Sequence, residues 1–162
     1  MMLLTAVTLS FAACTEPTPE QKPEPVPPQP KGLTFEVELG EVTYSSVDFT
    51  VTPSDLEAEY LCILYDAETV EEFTQDKYLV ATLLQELEEE ARAEGYTLVE
   101  FLADYTDKGV LEDTQKNLAP ESDYYIIVFG VDPANNYEAC SEVSKTKFTT
   151  AAAPTLDVTF TI

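Results

Sequence analysis

The chain has 162 residues, a net charge of −23 and no histidine. That charge argues against nucleic-acid binding, because phosphates are held by Lys and Arg, and against direct adsorption to an anionic lipid surface. The lack of histidine removes Ser–His–Asp and Cys–His catalysis and most zinc sites.

The first element is an apolar stretch from Leu3 to Ala13. It is shorter than the roughly 20 residues that cross a bilayer. Its length fits the apolar region of a signal peptide, and Ala12-Ala13 supply the small residues of a cleavage site. Phe11-Ala12-Ala13-Cys14 resembles the lipobox of bacterial lipoproteins, in which a signal peptidase cuts before a diacylated cysteine. It departs from that pattern at Phe11, where leucine is usual, and in having no Lys or Arg before the apolar stretch. The resemblance implies a signal peptide over 1–13 and lipidation of Cys14. It also implies anchoring to the outer membrane of a bacterial cell envelope, facing the cell surface. An ordinary secretory signal is the alternative.

Residues 14–31 form the next unit. Seven of the eleven prolines lie between Thr15 and Lys31. Proline fixes its own φ and lacks an N–H, so this segment is neither helix nor central strand. It favours extended polyproline II, rising about 3.1 Å per residue, and reads as a semi-rigid tether.

About 120 residues follow, enough for one domain with its own core. Leu33, Phe35, Val37 and Leu39 alternate with polar residues, as a half-buried strand does. Val47, Phe49 and Val51 repeat the pattern up to Pro53. Tyr60–Tyr65 and Tyr124–Val131 are apolar on both phases, which predicts strands covered on both faces. A last strand is expected over Ala139–Thr149.

Between them the period changes. Leu79, Val80, Leu83, Leu84, Leu87 and Ala91 recur at helical spacing, and Gly95 is a natural stop. Thr69–Glu72 and Thr97–Glu100 both match the capping box. The helical insertion spans about 68–106. Its apolar stripe is predicted to cover the outer face of the sheet, with Leu83, Leu87 and Phe101 over Tyr125, Ile127 and Phe129.

Asn117-Leu118-Ala119-Pro120-Glu121-Ser122-Asp123-Tyr124 and the strand after it resemble the E–F corner and F strand of a fibronectin type III domain. Lys147-Phe148-Thr149-Thr150 resembles the closing strand of that family. The resemblance implies a mainly β, immunoglobulin-like β-sandwich over 32–150, with helices inserted between strands C and E and packed outside the C–F sheet. It implies a structural tyrosine corner at Tyr124, with Leu118 and Pro120 before it. Similar sandwiches begin many surface lipoproteins of Bacteroides-like bacteria. The chain has no tryptophan, so the strand C tryptophan of immunoglobulin-like domains has no counterpart.

Chemistry-bearing motifs are few. No glycine-rich phosphate loop occurs among the five glycines, and no carboxylate pair stands out as a glycosidase pair. The domain therefore reads as non-enzymatic, with no cofactor and no metal. Glu88-Glu89-Glu90 point in different directions on a helix and read as a solvated face, since calcium needs six to eight converging oxygens. Cys62 and Cys140 could form a disulfide in an oxidising envelope, but in a fibronectin-like sheet their strands are separated by another, so the resemblance implies two reduced thiols. Asn135, Asn136 and Tyr137 follow the turn formers Asp132-Pro133 and form the candidate contact loop for a protein or glycan ligand.

After the linker Ala151-Ala152-Ala153-Pro154, residues Leu156, Val158, Phe160 and Ile162 alternate as the first strand of the domain does. Residues 151–162 thus read as a linker and the opening strand of a second repeat; a strand pairing back onto the first sheet is the alternative. Two functions fit the sequence. One is a membrane-anchored, non-catalytic spacer, adhesion or binding module. The other is the N-terminal accessory domain of a longer envelope protease or glycan hydrolase.

Overall fold

The computed structural model describes residues 32–155. Cys14, the tether and the strand expected at Leu156–Ile162 lie outside the described residues. In chain order the strands are β1 (Phe35–Val42), β2 (Ser46–Pro53), β3 (Glu59–Asp66), β4 (Asp107–Lys108), β5 (Leu111–Lys116), β6 (Asp123–Asp132), β7 (Glu138–Ala139) and β8 (Ser144–Thr149). Three helices, α1 (Ala67–Glu71), α2 (Asp76–Glu94) and α3 (Leu98–Tyr105), connect β3 to β4.

The strands form two antiparallel sheets. One has the order β1-β2-β5. The other has the order β4-β3-β6-β7, with β8 also paired to β6. Alternation along each strand decides which residues meet between the sheets. Val47, Phe49 and Val51 of β2 face Tyr60, Ile126, Val128 and Phe148 in one buried cluster.

The opposite phase of β3 and β6 builds a second core. Leu61, Ile127, Phe129 and Val131 pack with Leu79, Val80, Leu83, Leu87 and Leu102, while Phe101 and Tyr125 flank the cluster. The helices therefore lie on the outer face of the larger sheet. Each such apolar side chain stabilises the fold by about 1.5–3 kcal/mol on leaving water. The protein is mainly β, antiparallel, with one helical layer.

Helix ends follow local chemistry. Gly95 ends α2 in the left-handed region at φ 89°, and Tyr96 N–H bonds Ala91 C=O at 2.8 Å. Thr97 and Glu100 form a reciprocal capping box at the start of α3. Thr69 does not cap a helix. Asp66, the last residue of β3, is already in position, and its Oδ1 accepts the Thr69 N–H at 2.8 Å. The helix thus starts three residues earlier than the Thr69–Glu72 motif predicts.

Three strands differ from the sequence pattern. A register shift between Leu39 and Val42 changes the phase of β1. Val42 turns to the core instead of Glu41, and Leu39 is left exposed. The polar strand β5 has almost no apolar signal, and ladder pairing to β2 from Ser46↔Lys116 to Val51↔Leu111 creates it. The expected Ala139–Thr149 strand is two pieces, broken where Cys140 N–H turns to bond Gly130 C=O at 2.8 Å.

Phe129 is fully buried. Phe129→Ala is expected to lower unfolding stability in urea by about 3–5 kcal/mol. Val99→Ala, at a partly exposed position on α3, should change it by no more than about 0.5 kcal/mol.

Candidate functional site

The corner before β6 is built around Tyr124. Its hydroxyl oxygen accepts the main-chain N–H of Ala119 at 3.0 Å, and its ring stacks on Phe148 with centroids 5.7 Å apart. Leu118 packs against the core between the sheets. Pro120 C=O accepts the Ser122 hydroxyl at 3.0 Å. Thr150, buried in the same corner, donates to Ala119 C=O at 2.6 Å. These bonds fix the turn and leave no reactive group free.

The loop after β6 holds the candidate contact residues. Asp132 Oδ1 accepts the Ala134 N–H at 3.0 Å, and Asn135 Nδ2 donates to Glu138 Oε2 at 2.6 Å. Asn135 and Asn136 are exposed. Tyr137 is not a surface contact residue. It adopts φ 60°, costly for a bulky side chain, and its ring is only 8 % exposed within the core beneath the helices. Burial of the ring offsets the backbone strain, so the candidate loop shrinks to the two asparagines.

Beside that loop the first turn of α2 faces the β7–β8 link. Asp76, Lys77 and Val80 oppose Ala139, Ser141 and Val143 across a shallow groove. Lys145 Nζ on β8 contacts Asp76 Oδ1 at 2.6 Å. The Ser141 hydroxyl oxygen accepts the Gly130 N–H at 2.7 Å and donates to Glu142 C=O at 2.8 Å, so it is fully engaged. No nucleophile points into the groove with a base beside it.

A third group lies where the sheets part. Burial, then the carboxylates of Asp107 and Asp113, push the Cys62 thiol up to about 12. Burial, with Asp113 adding to it, raises the Asp107 carboxyl. The Tyr60 hydroxyl donates to Gly109 C=O at 2.9 Å, and Gln115 Nε2 donates to Asp113 Oδ2 at 2.9 Å. A thiol held protonated by burial and anions is a poor nucleophile. Cys62 and Cys140 are both free thiols. Among the described residues no group of three or more Asp, Glu or Cys is arranged to hold a metal ion, and no helix is long and apolar enough to cross a membrane.

An ion network ties β6, β8 and α1 together. Lys147 Nζ lies 2.8 Å from Glu71 Oε1 and 3.2 Å from Asp123 Oδ2. The Lys147 hydrogen bond and charge hold the Glu71 carboxyl below its usual range. Asp123 is lowered by its bond from Thr149 and then by Lys147.

No protein-family model matches the chain, and no curated protein matches it significantly. Solved structures with a related shape include the sensor domain of the anti-sigma factor RsgI4 from Pseudobacteroides cellulosolvens. Its shorter form aligns at TM-score 0.40 and 13% identity, over 75% of this chain and 96% of that one. Its longer form aligns at TM-score 0.39 and 13% identity, over 80% and 99%.

Tyr124→Phe removes one hydrogen bond and keeps the ring. Its expected cost is about 1 kcal/mol in chemical denaturation. Lys147→Met should flatten the acid limb of the stability curve. Carboxyls lowered in the folded state add stability that is complete above their unfolded pKa and lost as pH falls through the folded value. The wild-type advantage over Lys147→Met is therefore present at neutral pH and shrinks below about pH 4, as read by thermal melts across pH.

Proposed function

We propose that this chain is a non-catalytic, lipid-anchored, fibronectin type III-like domain of a Bacteroides-type surface lipoprotein, acting as a spacer, adhesion or binding module at the cell envelope. The observation that carries the fold-family reading is the Tyr124 hydroxyl on the Ala119 N–H, five residues upstream in a corner that closes onto the core. Strand order supports it. With β1, β2 and β5 as A, B and E, and β3, β6 and β8 as C, F and G, the two sheets match an immunoglobulin-like arrangement. The helices then replace the connection between C and E.

Anchoring rests on the lipobox-like Phe11–Cys14 and the proline-rich residues after it. The lack of a poised nucleophile in the groove and the raised Cys62 thiol favour a passive role for the described domain. Function then lies in position and surface. The lipid holds the domain at the membrane, the tether sets it off, and the acidic surface keeps neighbouring copies apart.

Metabolic labelling with an alkyne palmitate in a Gram-negative host tests the anchor. Wild type should incorporate label and partition with membranes, and Cys14→Ser should lose both. A processed, soluble and unlabelled wild type would overturn the lipoprotein reading in favour of an ordinary secretory signal.

A further inference from the structure

We infer that the free edge of β3, Leu61–Tyr65, accepts an added strand from an extended peptide rich in Lys or Arg. β3 pairs with β6 along its whole length, but with β4 only at Glu59 and Tyr60. Beyond Tyr60, alternate N–H and C=O groups point away from β6 toward no strand. Among the described residues no turn or side chain bonds the main chain of 61–65 from that side. A row of unpaired main-chain groups is a template for another strand.

The other edges are blunted, and this one is not. β1 carries Glu36, Glu38 and Glu41; β5 carries Glu112, Asp113 and Lys116; β8 carries Lys145 and Lys147. Charges of this kind discourage edge pairing. Leu61-Cys62-Ile63-Leu64-Tyr65 has no charge, and Cys62 to Tyr65 remain only half-buried at this edge. The helical insertion explains the gap. The chain leaves β3 at Asp66 for α1 and returns only as the two-residue β4.

Charge identifies the occupant. Asp66 ends the strand, Glu86 accepts the Tyr65 hydroxyl, and Asp107 stands beside Tyr60 on β4, where the edge begins. The one cation on the flanking β4, Lys108, is taken by Glu57 at 2.8 Å. The carboxylates at this edge thus outnumber its one lysine, which is already paired. A second copy of this chain, at −23, is repelled, and a basic peptide is attracted. Main-chain bonds would supply affinity, and alternate side chains would supply specificity. This proposal stands independently of the lipid anchor.

The test uses a fluorescent octapeptide of alternating valine and lysine, titrated into the full chain and read by anisotropy. Binding is expected to weaken about tenfold in about 0.5 M salt, and the matching valine–glutamate peptide should not bind. Of two valine–lysine peptides N-methylated on alternate amides in opposite phase, one should bind and the other should not. Hydrogen exchange should slow within 61–66 on binding. The proposal is overturned if the basic peptide does not bind, if both charge types bind alike, or if both methylated peptides bind. Protection elsewhere, or a peptide-free dimer protected at 61–65, overturns it equally.

Discussion

Burial of β6 on both faces is the constraint on which the fold depends. Ile126 and Val128 fill the space between the sheets, while Ile127, Phe129 and Val131 fill the space under the helices. Among the other described strands only β3 also gives fully buried side chains to both cores, Tyr60 to one and Leu61 to the other. A sandwich alone would leave Ile127 and Phe129 in water, and helices alone would have no apolar surface to cover. The two-residue period of the strand assigns each side chain to one core, so a slip of one residue would exchange the two sets.

The periphery follows from this centre. Lys147, on β8 beside β6, reaches both Asp123 and Glu71, so the helical layer is pinned at the end of α1 as well as through its core. The Tyr124 hydroxyl and Thr150 close the entry to β6. Ser141 and Cys140 close its exit by bonding both polar groups of Gly130. A side chain at Gly130 would collide with that of Leu33, so the side chains of Leu33, Cys140 and Ser141 pack directly on the bare glycine there. These surroundings spend their polar groups on holding β6, which leaves little chemistry free.

Much of this was legible in the sequence because burial writes a period. Apolar runs on both phases marked β3 and β6, and the stripe Leu79–Leu83–Leu87 marked the helix that covers them. Gly95 and the Thr97–Glu100 pair fixed helix ends through local bonds. What escaped was set by partners distant in sequence. β5 has one apolar residue, and only its register with β2 makes it a strand. The bulge in β1 is invisible in a pattern that alternates smoothly through Leu39. Tyr137 reads as a loop residue by its neighbours, yet its ring belongs to the core under α2. The unblunted edge of β3 could not be seen either, because it depends on how short β4 turns out to be.

The two ends of the domain leave it at opposite poles. Leu33 sits by Gly130 at one pole. At the other, the Ala151 N–H bonds Thr43 C=O at 3.0 Å, next to the start of β6. β1 runs from the first pole toward the second, and β8 ends at the second. Tension drawn along the chain would therefore pull β1 lengthwise past β2, and β8 lengthwise past β6. The ladder bonds of each pair would be loaded together in shear, not opened one at a time like a zip. Strand order and the exit points thus share any such load across whole ladders.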